Sequence, residues 1–310
     1  MTTIRIGTRA SALAMWQAEH VQRLLKDAWP EIETVLVPMT TTGDRILDRP
    51  LAAIGGKGLF VKELEHGMLE GQIDIAVHSM KDMPTEQPPG LVLDVVVPRA
   101  PAFDVLCGAT KAFDLQSLPQ CARVGTGSQR RRAQLLLARP DLEIVPLRGN
   151  VITRLEKRYS EKLDAIVLAE AGLHRLGIWE ESFTRIDPVQ MIPAPGQGAV
   201  VIERRQDDGR LAALLAPLHC PKTSLAVEVE RACLRGIGGD CHTPFAAWAR
   251  FEDNTLHVDA RLFREERYAE VRRQDQGAWT TWTTQKAEEL GRSIAAELLR
   301  SFDHEDRETR

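Results

Sequence analysis

Apolar residues recur along this chain in two rhythms, and the switches between them mark out its elements. Residues 4–7, Ile4-Arg5-Ile6-Gly7, read as a short strand. Residues 11–28 follow as a helix, with Leu13, Trp16, Val21, Leu24 and Leu25 on one side. The pattern predicts the next strand at 34–39 and the next helix at 60–70. The run Ile73-Asp74-Ile75-Ala76-Val77-His78 is apolar enough for a buried strand, with Asp74 at its entrance. Strands alternating with helices over the first two-thirds of the chain predict α/β layers with mostly parallel sheets. From about Ala216 the rhythm changes. A helix is expected at 223–234, with Leu225, Val229, Ala232 and Cys233 as its apolar positions. The Gly-rich loop Gly236-Ile237-Gly238-Gly239-Asp240-Cys241 comes next. Alternating segments at 245–251, 256–263 and 268–272 predict an antiparallel sheet, and 284–299 a closing helix before a polar, fraying tail.

Proline punctuates the chain twice, at Val97-Pro98-Arg99-Ala100-Pro101 and at Met191-Ile192-Pro193-Ala194-Pro195-Gly196. Between these points the pattern of the first ninety residues returns. ARVGTGSQRRRAQLLLAR echoes IRIGTRASALAMWQAEHV, LEIVPLRGN echoes TVLVPMTTTGD, and KLDAIVLAEAG echoes QIDIAVHSMKD. Two similar lobes joined by two crossings predict a clamshell. Domain 1 would comprise 1–97 and 196–214, domain 2 would comprise 102–191, and a small α+β domain 3 would run over 216–310. Two unrelated domains in series are the plainer alternative.

Composition narrows the class. The chain has 310 residues, with 43% hydrophobic and 27% charged, which is ordinary for a globular protein. No apolar run approaches the ~18 residues of a membrane span, and the N-terminus lacks a signal-peptide apolar region. Five scattered cysteines without a CxxC pair argue for a reducing, cytoplasmic setting and against disulfides or a zinc site.

The net charge of −4 conceals a strong asymmetry. Residues 121–160 carry nine Arg and Lys against three acids, a net of +6 that leaves −10 elsewhere. Within that window Arg130 and Arg131 follow Gly125-Thr126-Gly127-Ser128, where a strand becomes a helix. Free backbone N–H groups and the helix dipole favour an anion there. Arg148 and Arg154 are placed to face the same side, and arginine suits bidentate pairing with carboxylates. The first lobe offers a similar set in Thr8, Arg9, Ser11, Lys57, Ser79 and Lys81. Many of these charges have a plainer reading as solvated surface. No Walker or GxGxxG pattern points to nucleotides, and the acidic remainder and lack of interleaved aromatics speak against nucleic acid. Asp82 lies just past the carboxyl end of the buried strand, where open α/β sheets bind ligands. It is either a stabiliser of a developing cation and proton carrier or a turn-former before Pro84. His78 reads as a satisfied buried histidine. Cys107, Cys121 and Cys233 read as small core residues, whereas Cys241 sits in a loop that can present a thiol.

Taken in order, several segments resemble the hydroxymethylbilane synthase, or porphobilinogen deaminase, family almost end to end. They are IRIGTR at 4–9, GGKGLFVKEL at 55–64, AVHSMKDMP at 76–84, GTGSQRR at 125–131, LRGN at 147–150 with Arg154, GQGA at 196–199 and the Cys241 loop. The resemblance implies two type II periplasmic-binding-protein-like lobes plus the small C-terminal domain, in a monomeric transferase. Its implied activity joins four porphobilinogen molecules head to tail, with release of ammonia, into hydroxymethylbilane. The implied cofactor is dipyrromethane, attached through a thioether to Cys241, with Asp82 as the catalytic carboxylate. Arg9, Ser11, Lys57, Ser79, Lys81, Thr126, Ser128, Arg130, Arg131, Arg148, Arg154 and Gln197 would hold carboxylates of cofactor and substrate. Phe60 would lie beside the pyrroles, and Arg175 matches a further family arginine. Neither a nucleic acid nor a membrane is expected as a partner. Asp240 and Pro195 depart from the family pattern, and Pro195 is expected to stiffen the second crossing. The rival reading is a non-catalytic clamshell binding or sensing a small anion, which would have no use for Cys241.

Overall fold

The computed structural model describes residues 3–45, 61–240, 242–265 and 267–308. The chain divides into two compact units, one of Met1–Arg99 and Ala199–Ser224, the other of Ala100–Gly198 and Leu225–Arg310. The first unit is built on a five-stranded sheet of β1 (Thr3–Arg9), β2 (Glu33–Met39), β3 (Ile75–Ser79), β4 (Leu91–Val96) and β10 (Val200–Arg205), in the order β2-β1-β3-β10-β4. β1 runs parallel to β2 and β3, whereas β10 is antiparallel to β3 and β4. Side chains alternate across this sheet and fill two layers. Ile4, Ile6, Val77, Val200 and Ile202 pack under helix α1 (Ala12–Ala28) through Ala18, Val21 and Leu25. Ala76 points the other way, onto Leu64 and Met68 of helix α2 (Lys62–Leu69). The first unit runs on through Ser224 because Leu215 and Leu218 pack into its core.

The second unit repeats the plan. Its five-stranded sheet uses β5 (Asp104–Gly108), β6 (Arg123–Gly125), β7 (Glu143–Val145), β8 (Ala165–Ala169) and β9 (Phe183–Arg185), in the order β7-β6-β8-β5-β9. β6 is parallel to β7 and β8, and β5 is antiparallel to β8 and β9. Helices α3 (Gln129–Ala138), α4 (Val151–Ser160) and α5 (Glu170–Arg175) follow β6, β7 and β8. The sequence echo is therefore a repeated sheet order. In each sheet an antiparallel strand supplied from a crossing segment lies beside the strand that ends in a turn or helix.

The same unit contains an antiparallel sheet of β11 (Phe245–Glu252), β12 (Thr255–Arg264) and β13 (Arg267–Gln276). Helices α7 (Pro221–Gly236) and α8 (Thr284–Glu308), which follow α6 (Gly209–Leu215), cover it. At Gly291 a β-carbon would lie 2.5 Å from Val229 O and 2.9 Å from Cys233 N. Only glycine lets α7 and α8 approach this closely. The strand expected at 268–272 extends to Gln276 because the polar residues after Arg272 keep pairing with β12 on a half-exposed edge. The protein is a mixed α/β chain with two lobes of like sheet order and a small C-terminal antiparallel sheet with its helices. No helix among the described residues is long and apolar enough to cross a membrane.

The cysteine reading needs one correction. Cys107 and Cys233 are buried, and burial pushes the Cys107 thiol up to about 12 and the Cys233 thiol upward as well. Cys121 is exposed instead. It adopts a left-handed turn with φ of 57° just before β6, where its N–H donates to Asp141 Oδ2 at 2.9 Å. The apolar neighbours that made it look internal belong to the strand that follows.

Candidate active site

In the first unit the end of β3 forms a corner. Ser79 closes the strand, and a single 3₁₀ turn, Met80–Asp82, carries Lys81 half-buried and Asp82 exposed. Two backbone ties fix the corner: β10 pairs Val200 with Ser79, and Met80 N donates to Ala199 O at 3.0 Å. Gln17, 2% exposed on α1, donates from Nε2 to Ser79 Oγ at 2.8 Å. Arg9 ends β1, and Ser11 stands at the start of α1 without a side-chain capping bond. Asp82 thus projects from a backbone-anchored turn.

His78 is buried, as expected, and meets Glu203 Oε2 at 3.0 Å on the α2 side of the sheet. Glu65 of α2 lies near this pair. Its own burial, reinforced by the charge of Glu203, pushes its carboxyl up from 4.5 to about 7, against the opposing pull of His78 and Lys62. Neither Gln17 nor Glu203 was visible as a partner in the sequence. Each is polar on an otherwise apolar buried face, the one available signal.

In the second unit the helix start at α3 is turned inward. Thr126 is buried, and its Oγ1 accepts from Ser128 N at 3.2 Å. Ser128 caps the helix by accepting from Arg131 N at 3.4 Å. Arg131 donates from Nε and Nη2 to Asp104 Oδ1, at 3.1 and 2.7 Å, and from Nη1 to Val167 O. Arg130 pairs with Asp104 Oδ2 at 2.8 Å and donates to Ile192 O. Gln197 Nε2 completes the set, at 3.0 Å from Asp104 Oδ1 and 2.6 Å from Ala102 O. Burial alone would raise the Asp104 carboxyl, but the two guanidiniums and Gln197 overcome it and hold it at about 2. Asp104 was missed in the sequence. A lone acid opening the apolar run Asp104-Val105-Leu106-Cys107 needs a buried cation, and that is the signal it gave.

The basic window is therefore not a free strip of charge. Arg123, Arg130, Arg131, Arg139, Lys157 and Arg158 pair with Glu143, Asp104, Asp104, Asp141, Glu161 and Glu180. Arg148 is half-buried in the turn before α4, and Arg154 folds back to donate to Gly149 O at 2.7 Å. Arg175 donates to Gly198 O at 2.7 Å, and burial pushes its guanidinium down to about 10. Gly198 has φ of +86°, and a β-carbon there would lie 2.4 Å from Ala100 O, so the two crossing segments meet backbone to backbone. Glu230, fully buried on α7, accepts from Gly196 N at 2.6 Å and from Ala249 N at 2.8 Å.

Lys57, Phe60 and Cys241 lie outside the described residues. The flanks of Cys241 are described. Asp240 Oδ1 accepts from the backbone N–H of His242 at 2.9 Å and of Thr243 at 3.2 Å, and Thr243 Oγ1 accepts from Asp240 N at 2.9 Å. The carboxylate next to the cysteine is thus engaged in folding its loop.

Two family models match the chain. The porphobilinogen deaminase, dipyrromethane cofactor binding domain, matches residues 4–213, and the porphobilinogen deaminase C-terminal domain matches residues 224–300. Among curated relatives, a porphobilinogen deaminase of Xanthomonas axonopodis pv. citri is 53% identical over 84% of this chain and 86% of its own length. One from Xanthomonas euvesicatoria pv. vesicatoria is 49% identical over 94% of this chain and the whole of its own. Among solved structures, the reduced OxyR regulatory domain from Pseudomonas aeruginosa aligns with 70% of this chain and 96% of its own, at 13% identity and a TM-score of 0.38. A probable amino-acid ABC transporter extracellular-binding protein from Bacillus subtilis aligns with 70% of this chain and 89% of its own, at 12% identity and a TM-score of 0.42. With both domain models matched in order and relatives near half identity over almost the full length, this chain belongs to the porphobilinogen deaminase family.

Proposed function

We propose that this chain is a transferase that joins four porphobilinogen molecules head to tail, releasing ammonia at each addition, to give hydroxymethylbilane for tetrapyrrole biosynthesis. The ordered match of both family domains carries this reading. The chemistry of the side chains fits it. Each pyrrole brings two carboxylates, and the arginines and lysines of both units suit them. Bound dipyrromethane supplies the primer to which units are added, and its proposed anchor is a thioether from Cys241. An alkylated sulfur has no ionisation for the neighbouring Asp240 to oppose. In the first unit, Arg9, Ser11, Lys57, Ser79 and Lys81 bind carboxylates, and Phe60 packs beside a pyrrole ring. In the second unit Thr126, Ser128, Arg130, Arg131, Arg148, Arg154, Arg175 and Gln197 shape and charge the carboxylate seats. Asp82 stabilises the electron-poor methylene-pyrrolenine left when ammonia departs from the incoming unit, and accepts the pyrrole proton released when the new bond has formed.

The chain acts as a monomer in the cytoplasm on a small molecule, without a nucleic-acid or membrane partner. The test is intact mass spectrometry of the denatured protein. A covalent adduct of two pyrrole units is expected, absent from Cys241→Ser. A bare polypeptide mass from cells making porphobilinogen would reject the reading.

A further inference from the structure

Arg130, Arg131 and Gln197, three side chains from two segments of the second unit, converge on Asp104. Arg130 and Arg131 are 4% and 5% exposed, and Asp104 is 0% exposed. Two guanidiniums against one carboxylate leave a net charge of +1 in the protein interior. A buried surplus of this kind is costly unless an anion answers it. Donors remain to answer with. A guanidinium carries five N–H bonds, and Arg130 Nε is buried with no hydrogen-bond partner among the described residues.

We propose that Asp104 is a specificity-determining, positioning residue for this arginine pair. It cancels one of the two charges, fixes the fork of Arg131 through Nε and Nη2 and holds Arg130 by an ion pair, so that the pair takes a single carboxylate and disfavours doubly charged oxyanions. Without Asp104, two arginines at the start of α3 would form a seat for a phosphate- or sulfate-like dianion. With it, the surplus matches one acetate or propionate side chain. Gln197 belongs to the same device. Its amide holds Asp104 Oδ1 and Ala102 O together, which sets the angle of the carboxylate that the arginines share. The inference rests on the reading that this pair serves substrate or cofactor carboxylates.

Calorimetric titration of sulfate and of acetate into the full chain tests it without requiring turnover. Asp104→Asn raises the surplus to +2 and is expected to bind sulfate about tenfold more tightly than the wild type, with a much smaller change for acetate. Equal sulfate affinity in the two proteins would overturn the proposal. Should the asparagine variant not fold, Asp104→Glu keeps the charge but displaces the forks. It should then retain wild-type sulfate affinity while raising KM for porphobilinogen about tenfold, and a wild-type KM or a gain in sulfate binding would sink the idea. Failure of the porphobilinogen reading itself would show separately, as a wild-type chain with neither adduct nor turnover.

Discussion

Gln17 Nε2 donates to Ser79 Oγ across 2.8 Å, joining the buried face of α1 to the last residue of β3. An amide N–H occupying a lone pair of the hydroxyl leaves the Ser79 proton to be donated elsewhere. Sequence position separates the two residues by sixty-two places, and only the packing of α1 on the sheet brings them together.

Gln17→Leu removes that donor while keeping bulk in the apolar layer. KM for porphobilinogen should rise by about three- to tenfold, the scale of one hydrogen bond, with kcat changed less. Steady-state kinetics beside a thermal melt checks this, and an unchanged KM would mean that Ser79 takes no part in binding.

Asp82→Asn preserves shape and removes charge at the exposed corner. The two-pyrrole adduct should persist while turnover falls by about a hundredfold or more. Rapid-quench measurement of ammonia release, with intact mass on the same sample, separates the two effects. Near-normal turnover would return Asp82 to the role of turn-former.

Glu65 predicts a pH signature in stability. Its carboxyl is raised from 4.5 to about 7 in the folded chain, so the protonated form is favoured there. Its contribution is complete below 4.5 and is lost as pH rises through about 7. Asp104 works in the opposite sense. Held at about 2 rather than 3.8, it contributes above 3.8 and is lost as pH falls through about 2. Urea midpoints across pH should decline toward neutrality in the wild type and flatten there in Glu65→Gln.

Asp240→Ala frees the N–H groups of His242 and Thr243 beside Cys241, the proposed anchor. Because Asp240 is exposed, stability should change by no more than about 1 kcal/mol. The rate at which cofactor-free protein acquires its adduct from porphobilinogen should drop several-fold. Time-resolved mass spectrometry checks it, and an unaltered loading rate would confine Asp240 to local loop structure.

Gly291→Ala tests the contact between α7 and α8. A methyl group placed against backbone atoms has no flexible neighbour to displace, so a loss of about 1–3 kcal/mol is expected, read from a denaturant melt.

Much of this architecture can be read along the chain because it is local. β1, β3 and the helix positions of α1 follow from apolar period, and the echo between GTRAS and GTGSQ reappears as two sheets of like order. The motif carrying Asp82 was legible for the same reason: strand, turn and carboxylate are contiguous. What linear reading could not supply was charge pairing through space. The +6 window looked available because three of the acids that answer it, Asp104, Glu161 and Glu180, lie outside it. Cys121 misled similarly, since one left-handed residue ahead of a strand is enough to turn a side chain out to solvent.

The interleaving of β10 between β3 and β4 bears on how the molecule is made. During synthesis, β1 to β4 emerge first, yet their sheet lacks its bridging strand until Val200–Arg205 has been added. β5 to β9 need nothing beyond Arg185 to close theirs. The lobe translated first therefore completes its sheet second, and unpaired edges of β3 and β4 wait through the synthesis of about a hundred residues. Ribosome-stalled chains ending before and after Arg205 would display that inverted order as a late gain of protease resistance in the N-terminal lobe.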